Sequence, residues 1–167
     1  MMKENGEAAH MSVTLVKGKF VLIAGSKNVH LAFRNKEDLE KYTDSRFLVA
    51  KNVATAVLEE VSSMTADQLS FLLNLMQKCR LTACFEILVP TYQHVVDLTH
   101  LDRPKLKFIT WTQQFGADNG GSYCAVAPHI ALELGKELGL AAVEYEVVMK
   151  EEVEDQMEKI RREHGYE

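Results

Sequence analysis

The sequence predicts an α+β fold, with a largely antiparallel sheet flanked by helices. Two observations support this class. Short β-rich runs between residues 11 and 34 are separated only by tight turns, and strands joined in this way pair as an antiparallel meander. Segments with helical periodicity then follow as a block of their own. This arrangement is typical of α+β domains, because α/β domains alternate strand and helix one by one.

Three strands open the prediction. Residues 11–17 alternate apolar and polar side chains, residues 19–24 form a second β-rich run, and residues 28–34 form a third. Gly18 supplies the first turn and residues 25–27 supply the second. One face of the third strand is formed by Val29, Leu31 and Phe33.

The next block has helical periodicity. We predict a short charged helix over residues 36–42, and a longer helix over residues 47–61 with apolar side chains three or four residues apart. A third helix follows Thr65, because Thr65 and Gln68 have the spacing of a capping box. Together these helices are expected to form the layer that covers the sheet.

The second half returns to mixed structure. Residues 81–89 form a strand that Pro90 ends; Phe85 and Ile87 share one of its faces, which leaves Glu86 on the other. Further strands are predicted over residues 94–98, 105–112 and 142–148, and a polar loop over residues 113–127. Helices are predicted over residues 128–138, with Pro128 at its first position and Gly139 at its end, and over residues 150–164, with an apolar stripe of Val153, Met157 and Ile160.

Composition narrows the class of protein. A formal net charge of −5 excludes a uniformly basic nucleic-acid-binding surface, although it leaves room for a local basic groove. The cysteines Cys79, Cys84 and Cys124 have no C-x-x-C spacing, so buried free thiols are expected. No apolar run approaches the roughly 20 residues of a membrane span. We therefore expect either an intracellular protein, cytoplasmic or nuclear, or one whose targeting segment lies outside residues 1–167, in both cases with no membrane partner.

Three short motifs carry the functional prediction. Lys3-Glu4-Asn5-Gly6 resembles motif I of the covalent nucleotidyltransferase superfamily, which contains polynucleotide ligases and mRNA capping enzymes. The runs at residues 26–30 and 85–90 are more similar to RNA ligases of the phage and tRNA-splicing types. The resemblance implies a ligase adenylation domain-like fold and an ATP-dependent, Mg²⁺-requiring RNA ligase.

The resemblance also assigns roles to residues. In that family a lysine amine, here Lys3, attacks the α-phosphate of ATP to form lysyl-AMP. AMP then passes to an RNA 5′-phosphate, and an RNA 3′-hydroxyl displaces it to seal the strand. The nucleotide-binding residues implied are Glu4, Asn5, Gly6, Lys27 and Glu86, and the metal ligand implied is Glu167, which takes the position of the glutamate that opens motif IV.

Physical chemistry is compatible with these roles. An amine attacks only when it is deprotonated, so desolvation or nearby cations must lower the pKa of Lys3. Gly6 permits close backbone approach, and Lys27 offers a cation for a phosphate. Glu86 lies among apolar residues, where an unpaired carboxylate is costly, so it is expected to accept a ribose hydroxyl or to help hold a metal.

Alternatives remain at each position. Lys3 is otherwise a lysine of a solvated tail, Lys27 a turn lysine and Glu86 a solvent-facing strand residue. The family's motif V and the elements that precede motif I have no counterpart, so we expect residues 1–167 to be a single partial domain, truncated at both ends, with little ligase activity alone. The competing hypotheses are a non-catalytic RNA- or nucleotide-binding remnant and an unrelated α+β interaction domain. The oligomeric state is not predicted.

Overall fold

A computed structural model describes residue 4 and residues 6–91, 97–113 and 127–164. Its strands are β1 (Glu7–Val16), β2 (Lys19–Ser26), β3 (His30–Phe33), β4 (Leu81–Leu88) and β5 (Lys105–Gln113). Its helices are α1 (Lys36–Glu40), α2 (Leu48–Ser63), α3 (Ala66–Cys79), α4 (Pro128–Glu137) and α5 (Val153–His164). Short 3₁₀ turns at Ser45–Phe47 and Lys150–Glu152 precede α2 and α5.

The strands form one five-stranded antiparallel sheet in the order β3-β2-β1-β4-β5. This confirms the predicted α+β class and the meander of the first three strands. The central strand β1 begins at Glu7, earlier than predicted, because its first half pairs with β4 from Glu7 opposite Ile87 to Met11 opposite Ala83. That pairing joins distant parts of the chain, so no local pattern announces it.

Helices α2, α3 and α4 pack on one face of the sheet and bury the core there. Helix α2 lies mainly against β2, α3 against β1 and α4 against β5. The capping box at Thr65 is confirmed, since Thr65 and Gln68 each bond the other's backbone N–H. Fully buried side chains between the sheet and the helices include Met11, Leu31, Phe33, Val53, Leu72, Met76, Ile87 and Phe108.

The other face of the sheet, which we call the open face, carries smaller and more polar side chains. Apart from Gly25 and the buried Leu88 at the end of β4, its residues are exposed or half-buried. Its members in the middle of the sheet are Ala8, His10, Ser12 and Thr14 of β1, Thr82, Cys84 and Glu86 of β4, and Lys107 of β5. Polar side chains on this face are therefore available to ligands in the described part of the chain.

The strand predicted over residues 142–148 is wrong. Only Ala142 forms a bridge, to Phe108 of β5, and that bridge is parallel. Two backbone hydrogen bonds join the segment to β5, from the Phe108 N–H to the Ala141 carbonyl at 2.7 Å and from the Val143 N–H to the Phe108 carbonyl at 2.9 Å. Side chains hold it further on, since the Tyr145 hydroxyl lies 3.3 Å from Glu133 Oε1 and Lys136 Nζ lies 4.7 Å from the centre of the Tyr145 ring. Val143 is buried and Val147 is 59% exposed, so the alternating apolar residues do not form one buried face of a strand.

Two further predictions need correction. Residues 97 and 98 are not in a strand, because the Asp97 carboxylate accepts hydrogen bonds from the Thr99 N–H and hydroxyl and so makes a turn. Cys79 and Cys84 are free thiols as expected, but Cys79 is exposed at the end of α3 and Cys84 is only half-buried. Cys124, the rest of the predicted strand 94–98 and nearly all of the predicted loop 113–127 lie outside the described residues.

Helix α5 confirms the predicted C-terminal helix, and its apolar stripe is partly exposed among the described residues. Val153, Met157 and Ile160 are 39%, 49% and 42% exposed. In the described parts of the chain, no helix combines the length and the apolar content that crossing a bilayer requires.

Candidate functional site

Just before β1, the motif that contains Gly6 contacts the motif that contains Glu86. The Gly6 N–H donates a hydrogen bond to Glu86 Oε2 at 3.1 Å, although the two residues are 80 positions apart. A side chain at residue 6 would not fit, because its Cβ would lie 2.5 Å from the Ile87 carbonyl oxygen. Gly6 is therefore required for the close approach that lets Glu86 accept this bond.

The side chain of Lys107 lies close to both acidic residues at this end of the sheet. Lys107 Nζ lies 3.9 Å from Glu4 Oε1, and the two side chains are 30% and 21% exposed. Lys107 also stands directly opposite Glu86 in the pairing of β4 with β5, which places their Cβ atoms about 4.5–5.5 Å apart. We call Glu4, Gly6, Glu86 and Lys107 the entry cluster.

Lys27 lies two strands away from Glu86. It is exposed in the turn between β2 and β3, which the hydrogen bond from Ser26 N–H to the Val29 carbonyl closes at 3.0 Å. Ser26 pairs with Ala9, and the neighbouring Ala8 pairs with Glu86. Two strand spacings correspond to about 10 Å between the backbones, so one nucleotide can reach both positions.

The predicted site residues thus divide into two groups. The structure brings Glu4, Gly6 and Glu86 into one cluster and places Lys27 at the same end of the sheet. The predicted nucleophile Lys3, together with Asn5 and the predicted metal ligand Glu167, lies outside the described residues.

Sequence reasoning missed Lys107, because the register of β5 depends on an irregularity. Cys84 pairs with Thr110 and Phe85 with Phe108, so Ile109 is left over as a bulge. The bulge shifts the pairing of every residue before it. The sequence shows that Lys105 and Lys107 share one face of a strand. It does not show which carboxylate of β4 each lysine would lie opposite.

A pair of histidines lies beside the entry cluster on the open face. His30 ends the predicted motif at residues 26–30, whereas sequence reasoning missed His10. His10 and His30 both pair with Gly25 from opposite sides. Since Gly25 has no side chain, their rings stack across it with centroids 5.6 Å apart and planes 27° apart. Burial, and then the nearby charge of His10, lower the pKa of His30, so the pair favours a neutral His30.

Cys84 adjoins this pair but lacks the environment of a reactive thiol. It stands opposite His10 in the pairing of β1 with β4. Burial raises the pKa of the Cys84 thiol, more than the contact of Sγ with Thr112 Oγ1 at 3.7 Å lowers it. A thiol with a raised pKa carries little thiolate at neutral pH, which argues against cysteine nucleophilic chemistry at this position.

The described residues could hold Mg²⁺ only if water and the phosphates of a substrate supplied most of its ligands. No group of three or more histidine, cysteine, aspartate or glutamate side chains converges among them. Mg²⁺ commonly uses one or two carboxylates and takes its other ligands from water and substrate phosphates. Glu86 has a second oxygen for this role, because only Oε2 takes the bond from Gly6.

Comparison with known proteins gives a family. Searches of curated proteins and of solved structures returned no match. A family profile described as "Domain of unknown function (DUF7920)" matches residues 2–164, nearly the whole chain. The chain therefore belongs to the family of this domain.

Proposed function

We propose that the chain is the adenylation part of an RNA ligase-like nucleotidyltransferase. Lys3 attacks the α-phosphate of ATP, the N–P bond of lysyl-AMP forms, and pyrophosphate leaves. AMP then passes to an RNA 5′-phosphate, and an RNA 3′-hydroxyl displaces it as the strand is sealed. The observation that carries the proposal is the hydrogen bond from Gly6 to Glu86, which joins two motifs that the family resemblance selected independently.

The entry cluster gives these residues physical roles. The bond from Gly6 to Glu86 Oε2 holds the chain at Gly6, three residues after Lys3. The second oxygen of Glu86 accepts a ribose hydroxyl or helps to hold the metal ion. Lys107 and Lys27 offset the charges of Glu4 and Glu86 at this end of the sheet, and Lys27 offers an exposed cation to an anionic phosphate.

ATP would bring Mg²⁺, whose charge would offset that of the attacked and leaving phosphates. Asn5 and Glu4 are proposed to contact the nucleotide, and Glu167 to contribute a metal ligand. We propose that residues 1–167 belong to one nucleotidyltransferase domain.

A second candidate is a non-catalytic remnant that binds RNA or a nucleotide. One observation favours it: both acids of the entry cluster already have partners within the protein, Glu4 in Lys107 and Glu86 in the Gly6 N–H. A cluster of this kind anchors the chain terminus even without catalysis. The remnant predicts nucleotide binding with no covalent adduct.

The test is incubation of the longest natural form of the protein with ATP labelled at the α-phosphate and with Mg²⁺, followed by a denaturing gel. The wild type and a Lys78→Ala control, changed on the exposed surface of α3, are expected to retain label, whereas Lys3→Ala is not. Label that survives Lys3→Ala removes Lys3 from its role. An unlabelled wild type that still binds ATP in a calorimeter, or still binds RNA, supports the remnant, and one that binds neither overturns both candidates.

A further inference from the structure

The open face has a second feature at the end farthest from Glu86. A cavity of about 560 Å³ lies between the β1–β2 turn, the end of β3 and helix α1. Its cations are Lys17, Lys19, Arg34 and Lys41, and we call it the cationic cavity. Apolar side chains of Val16 and Val21, with the Tyr42 ring, form other parts of its wall.

The charge in this cavity is strongly positive. Its one carboxylate, Asp38, lies 3.0 Å from Arg34 Nε and 2.7 Å from Lys41 Nζ. Hydrogen bonds from Arg34 and Lys41 hold the pKa of Asp38 well below its usual range, so it is ionised. Four cations and one anion leave three net positive charges, although the chain as a whole carries −5.

Lys17 and Lys19 are the cations left available. Within the described residues, neither forms an ion pair with a carboxylate. Both are exposed at the start and end of the β1–β2 turn. Positive charge that no protein carboxylate neutralises is what an anionic ligand requires.

The backbone of Lys17 is a second, independent observation. Lys17 and Gly18 have φ of 50° and 74°, the left-handed pair of a type I′ turn. Asn, Asp or Gly fits the first of these positions better than lysine, because the lysine Cβ is crowded there. A strained residue at the mouth of a charged cavity points to a function for its side chain.

The position of the cationic cavity relates it to the entry cluster. Val21 and Ala32 alternate with buried Leu22 and Phe33, so they lie on the open face, as Glu86 does. The eight steps along β1 from Ala8, opposite Glu86, to Val16, opposite Lys19, span about 26 Å. A single RNA strand of several nucleotides covers this distance.

We propose that the cationic cavity binds backbone phosphates of the RNA strand whose end reaches the entry cluster. Lys17 and Lys19 contact the phosphates, and the apolar wall accepts a ribose or base edge. The identity of the ligand as RNA rests on the proposed function. The charge, the cavity and the strained turn are independent of it.

Binding is measured by fluorescence anisotropy with a labelled 12-nucleotide single-stranded RNA, without ATP, at several salt concentrations. Lys17→Glu combined with Lys19→Glu is expected to weaken binding roughly tenfold or more. The slope of the logarithm of the binding constant against the logarithm of the salt concentration should become shallower by about 1.4, because each lost phosphate contact removes about 0.7 from it. The matched control is Lys78→Glu combined with Lys159→Glu, two exposed lysines on α3 and α5. Equal affinity and salt dependence for both double variants would overturn the proposal.

Lys17→Asn separates binding from folding. Asparagine tolerates the left-handed conformation, so this variant is expected to melt at or above the wild-type temperature while it binds RNA more weakly. Unchanged RNA binding by Lys17→Asn contradicts the role of Lys17.

Two arms distinguish the ligand and the underlying function. Calorimetry with ATP tests whether the cationic cavity is a mononucleotide site instead. If the glutamate double variant loses its affinity for ATP but keeps its affinity for RNA, the proposal is overturned. Lys3→Ala is expected to bind RNA normally, and the double variant is expected to form the AMP adduct. If the wild type forms no adduct but its RNA affinity still depends on Lys17 and Lys19, the proposed catalysis fails and the cationic cavity stands.

Discussion

Replacement of Glu86 probes the contact on which the functional proposal depends. Glu86→Ala removes the acceptor of the Gly6 N–H, a bond of 3.1 Å to a half-buried carboxylate. Hydrogen bonds to charged groups contribute about 1.5–3 kcal/mol, so exchange of the Gly6 amide with solvent is expected to accelerate about ten- to a hundredfold. Glu86→Gln keeps a side-chain oxygen and is expected to cause a smaller change, within about tenfold, because a neutral bond contributes about 0.5–1.5 kcal/mol.

The assay is amide hydrogen exchange of isotope-labelled protein followed by NMR. The amide of Met11, which lies in the same strand and is buried, serves as the internal reference because its exchange reports opening of β1 as a whole. Equal acceleration at Gly6 and Met11 would show that the substitution loosens the strand generally. An unchanged Gly6 amide in Glu86→Ala would refute the anchoring argument itself.

Two other predictions concern the histidine pair and the packing of α4. Because the folded pKa of His30 is below 6.5, its contribution to stability is complete above that pH and is lost as the pH falls through 6.5 and then through the folded pKa. The melting temperature of the wild type should therefore drop between pH 8 and pH 5.5, which is about one unit below the ordinary pKa of a histidine side chain. The melting temperature of His30→Gln should drop less, and an equal fall in both proteins would count against the stacked pair. Gly135→Ala would place a Cβ 2.5 Å from the ring of buried Phe108, and urea denaturation should show a loss of about 1–3 kcal/mol, whereas no loss would mean that α4 shifts freely on the sheet.

Local signals explain which parts of the fold were predictable. Gly18 marked the β1–β2 turn, the pair Thr65 and Gln68 marked the start of α3, and Pro128 marked the start of α4. Each works through its own backbone geometry or a contact a few residues away. The alternation of Glu86 with Phe85 and Ile87 was confirmed for the same reason, since the period of a strand is intrinsic to it.

Contacts between distant segments explain what the sequence did not reveal. The first residues of β1 form a strand because they pair with β4. Residues 142–148 do not form a strand, because only Ala142 forms a bridge with β5. In the candidate site, Gly6 and Glu86 were selected by family resemblance, but their direct hydrogen bond was not predicted. Lys107 and His10 became recognisable only once the bulge at Ile109 and the pairing of Gly25 had fixed the register.

The central claim is that Lys3 becomes covalently bound to AMP. The most direct measurement is mass spectrometry of proteolytic fragments after the longest natural form of the protein has been incubated with ATP and Mg²⁺. We predict a fragment that carries one AMP through the side-chain nitrogen of Lys3, with no such adduct when ATP is omitted. AMP on a different lysine, or a Lys3 fragment that stays unmodified while the protein binds ATP, would contradict the account.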